Sequence, residues 1–249
     1  RDLGTAGTPA DLVIQQLVGG SMSRRYLAWS AWMIGLLLVV GVGWTLAAVP
    51  LRPAGVAVGD RLGVSVGVSG DVAIAGAPGD GERGPGAGAV HLFRHGGGTW
   101  SREAKRTAGD AIAHDSYGTG VSVSGDLALV GAPRSQHRGF GAGAAYVLRR
   151  QAGGWVEDAT LTAADGAVND HFGGSVAIEG DLAVVGAYRN NDRGSESGAV
   201  YVFLREGGSW RQATKITASD GGAHDRFGWA VAVSDGAILV GAPHDDDRG

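Results

Sequence analysis

The sequence predicts an all-β chain: a β-propeller of four-stranded antiparallel blades, present as an incomplete arc of about 3.5 blades. Three observations lead there. Trp100, Trp155 and Trp210 mark a period of 55 residues. The phrase Gly-Ala-Pro or Gly-Ala-Tyr recurs in the same register, beginning at Gly76, Gly131, Gly186 and Gly241. Within each unit four short runs pass from apolar to polar, separated by glycine-rich turns. A repeat of this size cannot bury its apolar face alone, so neighbouring units must stack. The structural rival, a β-solenoid, has shorter coils and no such decline across four strands.

Each unit opens with Asp-x-x-Gly, at Asp60, Asp115, Asp170 and Asp225. A short alternating strand follows, such as Val121-Ser122-Val123 or Val176-Ala177-Ile178, with small residues between β-branched ones. That pattern suits an inner strand where blades crowd together. Ser124-Gly125-Asp126 and its equivalents supply a tight turn; in the fourth unit the order becomes Asp235-Gly236. The second strand runs into Gly-Ala-Pro, where proline ends the ladder at little cost. A polar loop of about ten residues leads to a third strand, with His91, Tyr146 and Tyr201 in equivalent places. The tryptophan opens a fourth, polar strand, expected at the outer edge. Arg106 stands where Leu161 and Ile216 recur, which predicts the weakest outer strand in the first blade.

Composition narrows the function classes. Of 249 residues 46 are glycine and 7 proline without a Gly-x-y period, so the chain is neither helical nor collagen-like. A net charge of -4 without a basic stripe argues against nucleic acid as a partner. The absence of cysteine removes disulfides, thiolate catalysis and thiolate metal sites. There is no H-E-x-x-H and no convincing acid–base pair, so the chain is read as a non-enzyme.

Tyr26 to Val49 carries no charge and follows Arg24-Arg25, a length that can cross a bilayer with the repeats on the far side. Met22 resembles a start with a short basic region, so 22–49 is read as a signal peptide or a transmembrane anchor. Residues 1–21 are then an uninformative or spurious upstream segment, 50–58 a linker, and 59–249 the repeats, divided at 59–113, 114–168, 169–223 and 224–249. The last unit stops inside the loop after Gly241-Ala242-Pro243, which predicts a truncated ring.

Asp115-Ser116-Tyr117-Gly118 with Gly131-Ala132-Pro133, Asp170-His171-Phe172-Gly173 with Gly186-Ala187-Tyr188, and Asp225-Arg226-Phe227-Gly228 with Gly241-Ala242-Pro243 resemble the FG-GAP repeat. That repeat builds the propeller of integrin α subunits and of many bacterial surface proteins. Leu62 replaces the aromatic in the first unit and Tyr188 the proline in the third. The resemblance implies an integrin-like propeller and weakly implies adhesion. Integrin-like blades often carry an Asp-rich calcium loop in the first hairpin. Here that hairpin is only Gly125-Asp126 or Gly180-Asp181, so this calcium site does not carry over.

Carboxylates gather instead in the blade-joining loops and in the loops between second and third strands, which alternation places on one face. A Ca²⁺ or other hard-cation site is expected there at Asp220 and Asp225, with Asp165 and Asp170 as the equivalent pair. Asp192, Arg193, Asp245, Asp246 and Asp247 form a candidate ligand rim. Arg83, Arg138, Arg193 and Arg248 recur beside loop glycines and are expected to pair with rim carboxylates. His114 and His224 are expected to be held by loop hydrogen bonds. The functional expectation is an extracytoplasmic, secreted or membrane-anchored module for cell-surface adhesion, binding an extracellular or envelope protein or glycan. Its alternative is the non-catalytic part of a larger secreted enzyme; a purely structural envelope protein is the third reading. The membrane itself becomes a partner through residues 26–49 if that segment is uncleaved.

Overall fold

A computed structural model describes residues 53–246 and, ahead of them, 12–15 and 48–51. Two short strands, β1 (Leu12–Gln15) and β2 (Ala48–Leu51), pair antiparallel. The remainder of the apolar stretch 26–49, with Asp247 and Arg248, lies outside the described residues. Among the described residues no helix is long and apolar enough to cross a membrane.

The period becomes blades. The first contains β3 (Val66–Ser69), β4 (Val72–Ala77), β5 (Ala89–Gly96) and β6 (Thr99–Arg106), hydrogen-bonded in chain order. The second contains β7 (Val121–Ser124), β8 (Leu127–Ala132), β9 (Ala144–Gln151) and β10 (Gly154–Leu161). The third contains β11 (Ser175–Glu179), β12 (Leu182–Ala187), β13 (Ala199–Glu206) and β14 (Ser209–Ile216). Two further strands, β15 (Ala230–Ser234) and β16 (Ala237–Gly241), begin a fourth. The arc is open. All three outer strands are eight residues long and carry a bulge at one register position, beside Leu92, Glu157 and Val202. Arg106 does not shorten β6; its Nε donates to the Trp155 carbonyl of the next blade at 2.7 Å.

Small residues are required where blades meet. A Cβ added to Gly76, Gly131 or Gly186 would stand 1.9, 1.9 or 2.1 Å from the carbonyl oxygen of Gly118, Gly173 or Gly228 in the next blade. Ser65 and Ser175 donate to two of those carbonyls, at 3.0 and 2.7 Å. The residue before each of these glycines, Tyr117, Phe172 or Phe227, bridges in parallel to Gly88, Gly143 or Gly198 of the preceding blade. Tyr117 and Phe172 are fully buried, edge-on to Tyr146 and Phe203 respectively. The aromatic-glycine and Gly-Ala-Pro phrases are thus two halves of one inter-blade joint.

The core is divided among the blade interfaces. Ile74, Leu92, Val130, Tyr146 and Trp155 pack between the first two blades; Leu129, Phe172, Val185, Tyr201 and Phe203 pack between the next two. Leu51, in register with Leu161, is buried against Leu62, Ala73 and Phe93. The inner strands line a groove of about 270 Å³ through Val66, Val121, Val123, Val176 and Ile178. The hairpin turns match their sequences. Gly70, Gly125 and Gly180 take positive φ alone, whereas Asp235 and Gly236 both do, at 51° and 75°.

Candidate functional site: the loop face

Four antiparallel strands place the loops between second and third strands on the same face as the blade-joining loops. The two sets are stitched together by backbone bonds. His114, Asn169 and His224 donate their N–H groups to Pro85, Phe140 and Ser195 at 2.9, 2.9 and 2.7 Å. All three adopt left-handed φ, 73°, 66° and 73°. Their side chains are exposed, and the loop hydrogen bonds that fix His114 and His224 are made by the backbone.

The opening aspartates are structural. Asp60, Asp115, Asp170 and Asp225 are buried, and each accepts from the N–H three residues earlier: Ala57, Ile112, Ala167 and Gly222, at 2.7, 2.9, 2.9 and 2.6 Å. The Asn190 side chain adds a bond to Asp170 at 3.3 Å. Burial raises the pKa values of Asp115 and Asp170 against the opposing effect of those N–H bonds. Asp220, the expected partner of Asp225, is exposed.

Other rim carboxylates face a lysine on the outer strand. Lys215 reaches Asp165 at 2.7 Å and Asp192 at 2.5 Å, while the Tyr201 hydroxyl donates to Asp165 at 2.9 Å. Burial works against the Lys215 charge, yet these carboxylates outweigh it and raise the pKa; Asp165 is correspondingly lowered. Lys105 repeats the arrangement with Asp80 and Glu82, at 2.6 and 2.8 Å. The second blade has Thr160 at that position, and a loop side chain takes the contact: His137 lies 2.8 Å from Asp110, which also accepts from Tyr146 at 2.9 Å. Among the described residues no group of three or more His, Cys, Asp or Glu is placed to hold a metal ion. The tight-turn aspartates also have partners, Asp71 with Arg94 at 2.7 Å and Asp126 with Arg150 at 2.8 Å.

Between the second and third blades the same face opens into a pocket of about 420 Å³. Arg134, Arg189, His114, His171, Asn169 and Phe140 line it, and no carboxylate does. The rim is therefore not uniformly acidic as the sequence suggests. The Arg134 side chain makes no hydrogen bond or ion pair among the described residues. His171 meets the Tyr188 hydroxyl at 2.9 Å; burial, with Arg189 and Arg134 nearby, lowers its pKa to about 4. It is a neutral imidazole at physiological pH. One blade further on, Glu196 accepts from Arg189 at 2.9 and 2.5 Å and from Arg226 at 3.0 Å. The two guanidinium groups hold its pKa low.

Of the expected rim residues, Asp192 is engaged by Lys215, Arg193 is exposed, and Asp245 and Asp246 are exposed at the end of the described chain. Arg83 and Arg193 form no ion pair among the described residues, and Arg138 reaches only the Ala164 carbonyl, at 3.4 Å. The paired rim cations are Lys105, Lys215, Arg189 and Arg226. Sequence reasoning passed over them: Lys105, Lys215 and Arg189 sit outside the recurring phrases, and Arg226 fills the variable second position of Asp225-Arg226-Phe227-Gly228. The available signal was the recurrence of lysine at 105 and 215 on otherwise exposed strand positions.

Blades joined through paired glycines, with one loop-rich face, define a propeller-type repeat module. The chain belongs to the FG-GAP repeat family, whose model matches residues 44–93, 100–148, 155–203 and 210–249. Each full match after the first starts on an outer strand and ends on the third strand of the next blade, so the family unit straddles the joint. Integrin alpha-7 of Rattus norvegicus is 30% identical over 145 residues, a match covering 52% of this chain and 12% of the integrin. Sqt1 of Saccharomyces cerevisiae, a solved structure, aligns with a TM-score of 0.39 and 12% identity over 65% of this chain and 37% of that one.

Proposed function

We propose that this chain is an extracytoplasmic binding module that presents its loop face to an extracellular protein. One observation carries the reading: loops from successive blades meet on one face and enclose the pocket between Arg134 and Arg189. Concave sites with a few convergent polar groups are where repeat scaffolds hold ligands. No nucleophile–base pair accompanies that pocket, which favours binding over turnover. The distant likeness to an integrin α chain supports placement outside the cytoplasm, as does the charge-free stretch 26–49 behind Arg24-Arg25. Calcium enters this reading as a question for Asp220 and Asp225, because Lys215 already neutralises Asp165 and Asp192.

The test is adsorption of the whole protein to immobilised cell-surface and matrix proteins, with Asp192→Ala and Arg193→Ala as rim variants. Saturable binding weakened by rim changes supports the reading. Binding indifferent to every loop-face variant, or none at all, rejects it. Calorimetry with millimolar Ca²⁺ on wild type and Asp225→Asn decides the cation.

A further inference from the structure

The third blade carries a receptor for a carboxylate with the carboxylate built in. Glu196, at the end of the β12–β13 loop, lies between Arg189 on that loop and Arg226 on the next blade-joining loop. Its side chain is 15% exposed, and Arg189 contacts it through both Nε and a terminal nitrogen. Both Arg189 nitrogens converge on Oε1 while Arg226 takes Oε2, so the two guanidinium groups share the carboxylate through charge-assisted bonds.

Subtracting one period of 55 residues gives the second blade's version. Arg189 becomes Arg134, Arg226 becomes His171, and Glu196 becomes Gly141. The backbone is conserved in shape: Glu196 has φ 52° and Gly141 has φ 65°. Arg134 therefore keeps the first guanidinium, the neutral His171 replaces the second, and the internal acid has been deleted; the space is the 420 Å³ pocket. Among the described residues the Arg134 side chain is left without a hydrogen-bond or ion-pair partner, facing the same cavity as Arg189. In the first blade the three positions are Gly79, Gly86 and Ser116, with neither receptor nor acid. Only the second blade, among those described, keeps the receptor arginine without the carboxylate.

We propose that the pocket between Arg134, His171 and Gly141 binds the carboxylate of an acidic side chain donated by a partner protein. The ligand occupies the place that Glu196 fills one blade on. Arg134 supplies the charge-assisted contact, with Asn169 and His114 as further polar groups at the wall. Phe140, 67% exposed on the same loop, offers the apolar surface that a peptide flanking the acid covers. A side-chain carboxylate is favoured over a sugar acid because the built-in ligand is itself a glutamate side chain, and the vacated position 141 adjoins the exposed Phe140. This rests on the binding-module reading and gives it a ligand.

The experiment uses the whole protein and three probes: a blocked peptide with a central Phe-Glu, its Phe-Gln twin, and free glucuronate, titrated by calorimetry. The Glu peptide is expected to bind, the Gln twin at least tenfold more weakly. Arg134→Gln removes an exposed, unpaired side chain and leaves the fold intact; it is expected to weaken the Glu peptide by tenfold or more. Gly141→Glu restores the internal acid and is expected to close the pocket to the peptide, whereas Gly141→Gln closes it less. Equal binding of the Glu and Gln peptides, or indifference to both Arg134→Gln and Gly141→Glu, overturns the proposal. Glucuronate binding more tightly than the Glu peptide overturns the protein side chain as ligand. Retention of surface-protein binding by Gly141→Glu refutes this pocket and leaves the binding module standing; no surface-protein binding by wild type refutes the module itself.

Discussion

The α-carbon of Gly131 and the carbonyl of Gly173 meet so closely across two blades that a Cβ on Gly131 would stand 1.9 Å from the oxygen. Both partners are backbone, so no rotamer can relieve a side chain there. Gly131 does not occupy the left-handed region, which makes the requirement one of space rather than of conformation. Gly131→Ala is expected to force the second and third blades apart and to cost about 3 kcal/mol or more, beyond ordinary overpacking. Gly153→Ala, with nothing within 4 Å of its Cβ and no positive φ, is the matched control and should be close to neutral. Urea denaturation midpoints of the two variants check the contrast.

Trp155 should be the costliest of the three register tryptophans to truncate. It is 0% exposed and packs with Ile74, Leu92 and Val130, and its indole N–H donates to Glu103 of the preceding blade at 3.2 Å. Trp100 and Trp210 are only half-buried, and their indole nitrogens have no partner. Trp155→Ala is expected to cost about 3–5 kcal/mol, and Trp210→Ala clearly less. Thermal unfolding of both variants measures the difference; equal losses would contradict the interface role of Trp155.

How much of this was legible beforehand depends on the distance over which each feature is determined. The strands, turns and joints repeat within one period and are set by local pattern, so Gly76, Gly131 and Gly186 stood out in the sequence. Their steric reason did not, because Gly118, Gly173 and Gly228 come from the next unit. The rim was less legible. Asp165, Asp170, Asp220 and Asp225 read as potential cation ligands, but whether a loop aspartate bonds a backbone N–H, as Asp170 does to Ala167, depends on turn geometry. Lys215, and the arginine partners of the rim carboxylate Glu196, were not legible because the interacting groups come from different loops and strands. Comparing positions 141 and 196 across the period would have exposed the missing acid, but only once Arg189 and Arg226 were known to converge.

Lys215 offers a direct test of the rim electrostatics. Its ammonium holds Asp165 and Asp192, two carboxylates from different blades' loops, and its side chain is 16% exposed. Lys215→Thr copies the residue at position 160 and leaves those acids facing each other beside Tyr201. The expected loss is about 1–3 kcal/mol, between surface and fully buried pairs. Asp165 should then titrate at higher pH than in wild type, since the neighbouring cation lowers it now. Carboxyl chemical shifts followed against pH would show the rise; an unchanged Asp165 would mean that the pair contributes nothing.

His91 predicts an acid-sensitive fold. It is 1% exposed in β5, where the other blades place Tyr146 and Tyr201, and neither ring nitrogen has a partner. Burial first, then Lys105 and Arg102, lowers its pKa to about 4, against the opposing effect of Asp80 and Asp60. Between its unfolded value near 6.5 and 4 the unfolded chain binds a proton that the folded chain refuses. The stability held by neutral His91 is therefore complete above about pH 6.5 and drains away as the pH falls towards 4. The full span corresponds to roughly 3 kcal/mol. His171, also lowered to about 4, acts in the same direction, whereas Asp115 and Asp170, both raised, oppose it at the acidic end. His91→Phe isolates the first contribution by removing the titrating group without opening the core. Denaturant unfolding at pH 7 and pH 4.5 should show wild type losing more stability than His91→Phe over that interval. Parallel losses would show that His91 is protonated in the folded protein.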